Sequence, residues 1–236
     1  MIRRFVLFGL LALTWALWLP AAPAAAQESV AALPAVASFR SARFDILTTV
    51  ETGGARQVAY GKGAVVLPDR AQVWLVPPPN NQIISVVQIG GTIYINTGSG
   101  WQRSEGLPLA NLQSQPVAEQ FAQLQRGANG ILRMGDAQVR GVPVTHYQLW
   151  LGGDAVLAAG GEALQGLDSQ LRDLIAASTY KYDLWIGRDG RLHQQNTVAM
   201  VPASEINGTP VPASTTSTLI TYYDFDDAGI AITAPQ

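Results

Sequence analysis

Residues 180–192 read YKYDLWIGRDGRL, and this stretch decides the fold class. Its first half alternates between two sets of side chains, with Tyr182, Leu184 and Ile186 in one set and Lys181, Asp183 and Trp185 in the other. Strict alternation is typical of a half-buried strand. The dipeptide Asp189-Gly190 follows, which favours a tight hairpin turn, and residues 192–200 are predicted to form the answering strand. The stretch therefore predicts an antiparallel β-hairpin.

The same alternation recurs on both sides of this hairpin. Strands are predicted at 44–50, 57–67, 71–76, 82–89, 92–96, 101–103, 144–151, 180–187, 192–200, 214–225 and 230–232, with a loop at 202–212. Short turns rich in Gly, Pro and Asn separate them. Because parallel strands need crossovers of a dozen or more residues, these short connections predict an antiparallel meander.

Three segments have helical spacing instead. Val117, Phe121 and Leu124 predict a helix at 116–126. A second helix is predicted at 162–178, where one stripe consists of Leu164, Leu167, Leu171, Leu174 and Ile175. A third helix is expected at 27–38 and would end or kink at Pro34. The fold class predicted is therefore mainly β (α+β), with two or three helices against one antiparallel sheet.

The first 26 residues have the order of a secretory signal peptide. Arg3 and Arg4 precede an apolar run at 5–19, and small residues follow up to 26. The alternative is an uncleaved membrane anchor, for which about 20 apolar residues are needed. We expect cleavage after residue 26, leaving one domain at 27–236. The product would be exported to the periplasm, cell envelope or extracellular space and soluble there.

Composition narrows the classes of function. The chain has no Cys, so it has neither disulfides nor the acylated cysteine of a bacterial lipoprotein. Lys and Arg number 15 against 17 Asp and Glu, an acidic balance that argues against nucleic acid as a partner. Only 14% of residues are charged and 48% are hydrophobic, compared with about 25% charged in typical domains. This apolar surplus must be buried in a core or around a cavity.

Candidates for catalysis or metal binding are few. The two histidines, His146 and His193, and the absence of Cys argue against a zinc site. No G-x-S-x-G motif is present. The acidic cluster Asp224, Asp226 and Asp227 matches no calcium-binding loop and is interpreted as a strand end. We therefore expect no catalytic residue, no metal site and no cofactor.

Several short segments carry a family resemblance. They are SARFD at 41–45, GKG at 61–63, LPDR at 67–70, IYI at 93–95, GW at 100–101, GVPVTHY at 141–147, LWIGRDG at 184–190 and YYDF at 222–225. On these segments the chain resembles the LolA-like lipoprotein-carrier superfamily, and within it the LppX/LprAFG group of envelope lipid-binding lipoproteins. The resemblance spans the whole mature chain. Since the lipobox Cys of that group is missing, it implies a free carrier and not a tethered one.

The resemblance implies a strongly curved antiparallel half-barrel, with helices covering its concave face and an apolar cavity between them that holds acyl chains. We expect the cavity to be lined by Phe121, Leu167, Leu171 and Leu174 from the helices and by Tyr147, Leu149, Leu151, Tyr182, Leu184 and Ile186 from the strands. The alternative for each of these residues is solid packing around no cavity.

The function expected is that of a carrier or binding protein for a lipid or other apolar small molecule, without catalysis. Its partners would include a peripheral membrane contact or an envelope protein. An alternative is a protein–protein interaction or sensor module on the same fold. A hydrolase-type enzyme is the third hypothesis, and it would need His146 or His193 to meet Asp183 or Asp224 in a cleft.

Overall fold

A computed structural model describes residues 27–79, 82–105, 117–159, 167–206 and 209–235. The predicted signal peptide lies outside these residues. The strands are β1 (Glu28–Val30), β2 (Ser41–Thr52), β3 (Ala55–Val66), β4 (Arg70–Val76), β5 (Ile84–Ile89), β6 (Thr92–Asn96), β7 (Trp101–Glu105), β8 (Ala128–Val139), β9 (Val142–Gly152), β10 (Thr179–Gly187), β11 (Leu192–Val201), β12 (Ser204–Ile206), β13 (Thr209–Val211) and β14 (Ser214–Tyr223). The helices are α1 (Val117–Gly127), α2 (Gly153–Ala159) and α3 (Ser169–Ala176).

Twelve of these strands form one antiparallel sheet in the order β1-β8-β9-β10-β11-β14-β2-β3-β4-β5-β6-β7. The sheet is a curved half-barrel that does not close on itself, and β12 and β13 form a separate hairpin. The hairpin predicted from residues 180–192 is present as β10 and β11, and Gly190 has a φ of 76° in its turn. The predicted fold class is confirmed.

The two faces of the sheet are covered by different parts of the chain. We call the side that carries α1 and α2 the helix face, because Phe121, Ala155 and Val156 pack there against the strands. We call the other side the tail face, because the C-terminal tail, residues 228–235, packs there through Ile232. Since side chains alternate along a strand, each strand contributes to both faces.

Three apolar clusters form the core. The first lies on the helix face under α1 and α2 and consists of Leu33, Val36, Phe121, Ile131, Leu149, Leu151, Leu184, Ile186 and Leu192. The second, also on the helix face, consists of Phe39, Ala42, Phe44 and Val65. The third lies on the tail face and consists of Ala64, Val87 and Ile232. The C-terminal tail is therefore part of the core.

Close packing over β3 depends on two glycines. A Cβ on Gly63 would lie 2.6 Å from Cζ of Phe44, and one on Gly61 would lie 2.8 Å from Cδ2 of Leu75. Real Cβ atoms do not approach other atoms so closely. The sequence Gly61-Lys62-Gly63 thus lets side chains of β2 and β4 lie directly on the backbone of β3.

Several sequence predictions are wrong in detail. No helix forms at 27–38, because residues 28–30 pair with β8 as the edge strand β1 and Pro34 falls in the irregular stretch that follows. Residues 230–232 are not a strand, because both edges of β3 are already paired and the tail packs on a face instead. The loop predicted at 202–212 contains the hairpin of β12 and β13.

The helices also differ from the prediction. Helix α1 confirms the one predicted at 116–126. Of the helix predicted at 162–178, the described part is α3, which begins after its N-cap Asp168, and residues 162–166 lie outside the described residues. Helix α2 was not predicted, since glycines at both of its ends indicate loops. None of the helices described is both long and apolar enough to cross a membrane.

Candidate functional site

A cavity of about 950 Å³ opens on the tail face, where β2, β3 and β4 meet the C-terminal tail. It is lined by Arg43, Asp45, Ile46, Tyr60, Gly61, Lys62, Gly63, Ala64, Gln72, Trp74, Val76, Ile83, Tyr223, Gly229, Ile230 and Ala231. Most of these are aliphatic, aromatic or glycine residues. The cavity is open to solvent, so a ligand could enter without unfolding any element.

Strand register places the lining side chains. Lys62 of β3 lies opposite Trp74 of β4, and Tyr60 lies opposite Val76. On the other side of β3, Lys62 lies opposite Asp45 of β2. Alternate residues of three neighbouring strands therefore project into one space, as the period of two along a strand requires.

The C-terminal tail forms one wall of the cavity. Ile232 is 2% exposed and packs with Ala64 and Val87 of the third cluster. The Nη1 atom of Arg70 donates to the carbonyl oxygen of Ile232 at 3.0 Å. Because these contacts fix residue 232, the preceding residues 229–231 are held along the edge of the cavity.

Two ionised side chains at the cavity floor are neutralised by neighbours. Asp45 accepts hydrogen bonds from Nη1 of Arg140 at 3.1 Å and from the hydroxyl of Tyr223 at 3.2 Å. Arg43 forms ion pairs with Asp224 at 3.3 Å and Asp227 at 3.7 Å. These pairs satisfy both charges without a ligand.

The pKa of Tyr223 is raised, first by burial and then by the negative charge of Asp45. The hydroxyl of Tyr223 is therefore protonated over the neutral pH range, as its hydrogen bond to Asp45 requires.

Lys62 differs from Arg43 and Asp45, because its ammonium has no hydrogen bond or ion pair among the described residues. It is the lining cation left available for a ligand group.

The mouth of the cavity is apolar and exposed. Tyr60 is 57% exposed, Ile83 58% and Trp74 36%. Beyond the mouth, Leu47 and Val58 on the same face are also exposed. Contiguous exposed apolar patches often mark interaction sites, so the mouth and its surroundings form a candidate contact surface.

The ten residues predicted to line a cavity lie elsewhere. Five are buried in the first cluster of the helix face: Phe121, Leu149, Leu151, Leu184 and Ile186. Tyr147 and Tyr182 pack against the same cluster. Leu167 precedes α3, and Leu171 and Leu174 belong to it; all three are half-buried, and α3 has no buried residue. The structure thus brings seven of the ten together by direct packing, and none of them is among the residues that line the tail-face cavity.

A separate polar cluster lies on the tail face of β9 and β10. Asp183 is buried and accepts hydrogen bonds from Nε2 of His146 at 3.0 Å and from Nε2 of Gln148 at 2.9 Å. It also forms an ion pair with Nζ of Lys181 at 3.0 Å. Burial raises the pKa of Asp183, but the hydrogen bonds from His146, Gln148 and Lys181 outweigh it and bring the value to about 2. Asp183 is therefore an ionised, fully satisfied carboxylate.

His146 and Asp183 meet as the enzyme hypothesis requires, and among the described residues the His146 ring has no hydrogen bond other than the one to Asp183. The other partners of Asp183 are the amide of Gln148 and the ammonium of Lys181. The ring of Trp185 stacks on that of His146, with centroids 4.4 Å apart. The pair fits a structural role in joining β9 to β10.

The remaining candidates of the sequence are also engaged in packing. His193 is buried, with its ring edge-on to Phe225 at 5.2 Å. Asp226 accepts a hydrogen bond from Nη2 of Arg191 at 2.8 Å, and its backbone N–H donates to Ser41. Within the described residues, no three His, Asp or Glu side chains are grouped to hold a metal ion.

Several solved structures are similar to this chain. The chain is similar to the Mycobacterium tuberculosis lipoprotein LppX, with 12% identity and a TM-score of 0.49 over 83% of this chain and 90% of that one. It is similar to LprF from Mycobacterium bovis, with 10% identity and a TM-score of 0.40 over 84% and 90%. A LolA superfamily protein from Nitrosomonas europaea gives 11% identity and a TM-score of 0.33 over 86% and 92%.

The likeness is one of fold. Members of the group that the sequence resembles are among these structures, at identities of 10–12%. No protein-family model and no curated protein matches the sequence. The ligand has to be inferred from the chain's own geometry.

Sequence reasoning missed the tail-face cavity. One signal was present, which is the alternation that places Tyr60 and Lys62 on the same face of β3. The wall formed by residues 229–231 carries no local signal, because it is made by a contact between distant parts of the chain.

Proposed function

We propose that this chain is an exported, non-catalytic carrier or binding protein for a lipid or other apolar ligand, held in the tail-face cavity. The observation that carries the proposal is the cavity itself, whose volume of about 950 Å³ suits a sizeable small molecule. Ligand sites are typically concave, mostly apolar and provided with a few polar groups, and this cavity has that character.

The cavity chemistry favours an amphiphile. Trp74, Val76 and Ile230 offer apolar contacts, and transfer of apolar ligand surface from water contributes about 25 cal/mol per Å². Lys62 offers an ammonium group that has no hydrogen bond or ion pair among the described residues. Since Arg43 and Asp45 are already neutralised, the cavity provides few contacts that would discriminate one head group from another.

The proposal also covers where the protein acts and how many domains it has. We propose that residues 1–26 are removed as a signal peptide and that residues 27–236 act as one domain in the periplasm, cell envelope or extracellular space. The packing of the His146 ring on Trp185 and of the His193 ring against Phe225 fits a structural role for both histidines and supports a function without catalysis.

The helix face is the alternative location for the same ligand. Helix α3 is amphipathic, yet Leu171 and Leu174 remain half-buried. A ligand between this stripe and the sheet would meet three of the ten residues that the sequence nominates, with Leu167 as the third. The first cluster would not contribute, because its members already pack against one another.

Native mass spectrometry with organic extraction tests the function. The mature protein would be purified from the envelope of cells that produce it and sprayed without denaturation. We expect about one lipid or other apolar molecule per chain. A clean apo mass, in a sample that also fails to take up added fatty acid or phospholipid, would disprove the carrier function.

A further inference from the structure

We propose that the mouth of the tail-face cavity docks on the surface of a lipid bilayer with no net charge, so that the ligand passes directly between membrane and cavity. This inference rests on the proposed function. It adds a partner, which is a bilayer surface, and an orientation, in which the end of the sheet around Trp74 and Ile83 faces the lipid.

The first observation is a contiguous exposed apolar surface. We call it the docking patch: Leu47, Val58, Tyr60, Trp74 and Ile83. Leu47 lies opposite Tyr60 across β2 and β3, and Val58 precedes Tyr60 by two residues on the same face. Tyr60, Trp74 and Ile83 are also cavity-lining residues, so the patch surrounds the mouth.

The second observation is an absence of charge in the sequence. No Asp, Glu, Lys or Arg occurs between Arg70 and Arg103, a stretch that forms β4, β5, β6 and their connections. The β4–β5 connection ends at Ile83, and Gln82 Nε2 donates from it to the carbonyl oxygen of Thr97 between β6 and β7. Two uncharged connections are thereby held together at one end of the sheet.

These two observations favour a bilayer over other partners. Charged side chains are costly to bring into a membrane. Tyr and Trp are enriched at the membrane–water interface, because each has an apolar ring and a polar group that stays hydrated. Both aromatic residues of the patch are of that type. Lys62, unpaired among the described residues and opposite Trp74, lies where it could meet a lipid phosphate.

Flotation with vesicles of phosphatidylcholine alone tests the docking. The variant is Leu47→Asp with Val58→Asp, two patch residues that do not line the cavity. The matched control is Val142→Asp, similarly exposed at 37% and located at the start of β9, outside both the docking patch and the cavity lining. We expect the wild-type protein and the control to float with the vesicles and the double variant to float at least about tenfold less.

Ligand binding is measured separately, with a fluorescent fatty acid delivered from solution. All three proteins are expected to bind it equally, because none of the changed residues lines the cavity. Val58→Asp alone is the second variant, for use if the double variant fails to fold.

A wild-type protein that takes up the fatty acid but does not float would overturn the docking and leave the proposed function standing. So would a folded double variant that floats like the control. A wild-type protein that floats but takes up no ligand would support docking and remove the carrier function.

Discussion

Asp183 shows how one buried carboxylate can organise two strands. Three donors from β9 and β10 converge on it, and they lower its pKa to about 2 although burial alone would raise it. A folded-state pKa below the ordinary 3.8 means that the carboxylate stabilises the fold above pH 4. That stabilisation is lost as the pH falls toward 2.

The free energy of unfolding should therefore decrease by about 2 kcal/mol between pH 4 and pH 2 through this group alone. Denaturant unfolding at several acidic pH values measures it. Asp183→Asn removes the titrating group, so the variant should be less stable at neutral pH and show a flatter pH dependence below 4. Equal slopes for variant and wild-type protein would show that the carboxylate is not the group responsible.

Trp74 and Trp150 form a natural pair for testing the cavity. They are 36% and 38% exposed and both lie on the tail face, but only Trp74 lines the cavity. Trp74→Ala is expected to weaken ligand binding by about tenfold, because the indole contributes apolar contact area. Trp150→Ala should leave binding unchanged. Titration with a fluorescent fatty acid measures both, and equal affinities for the two variants would argue against the cavity as the ligand site.

At the residue scale, alternation predicted which side chains share a face of the sheet. It separated Leu184 and Ile186 from Asp183 and Trp185, and the structure places the two sets on opposite faces. The same pattern could not tell a packed core from a cavity lining. Leu184 is completely buried by its neighbours, which no local pattern reveals.

At the element scale, β3 is the strand on which the cavity depends. Gly63→Ala would add a Cβ 2.6 Å from the ring of Phe44, and we expect a loss of stability of about 2 kcal/mol. Gly91→Ala is the control, because a Cβ there meets nothing within 4 Å. Thermal or denaturant unfolding measures both. A loss at position 63 no larger than at position 91 would mean that β3 tolerates the added atom.

The C-terminal tail is the second element that shapes the cavity. Ile232→Asn places a polar group in the third cluster, where Ala64 and Val87 surround it, and should cost about 2 kcal/mol of stability. Because the cavity wall at 229–231 then loses its support, ligand affinity should fall too. Thr233→Asn, at an exposed neighbouring position, should change neither. Unaltered ligand affinity in a folded Ile232→Asn protein would show that the tail is not a wall of the site.

The sequence did not predict the strands and the tail segment whose structure depends on contacts with residues far away in the chain. Strand β8 was missed because register shifts near Gly130 and Gly135 interrupt its alternation. The tail at 230–232 has the alternation of a strand, but no strand edge is free beside it. Strand β1 forms only because β8 offers its edge to residues 28–30.

At the scale of the whole molecule, the order of short alternating segments was enough to predict one long antiparallel sheet, and the family resemblance implied its curvature. That order was not enough to decide which face carries a cavity. The helix face carries the first and second clusters, whereas the cavity opens on the tail face between β2, β3, β4 and the tail. That division is a property of the packed chain, since the wall residues and the floor residues are far apart in sequence.

Quenching of tryptophan fluorescence by a brominated fatty acid tests the central claim most directly. The wild-type protein is compared with Trp74→Phe and Trp150→Phe at increasing ligand concentration. If the ligand lies in the tail-face cavity, quenching should saturate at about one ligand per chain, largely disappear in Trp74→Phe and persist in Trp150→Phe. Saturable binding that quenches Trp74→Phe as strongly as the wild-type protein would contradict the account and move the ligand to the helix face.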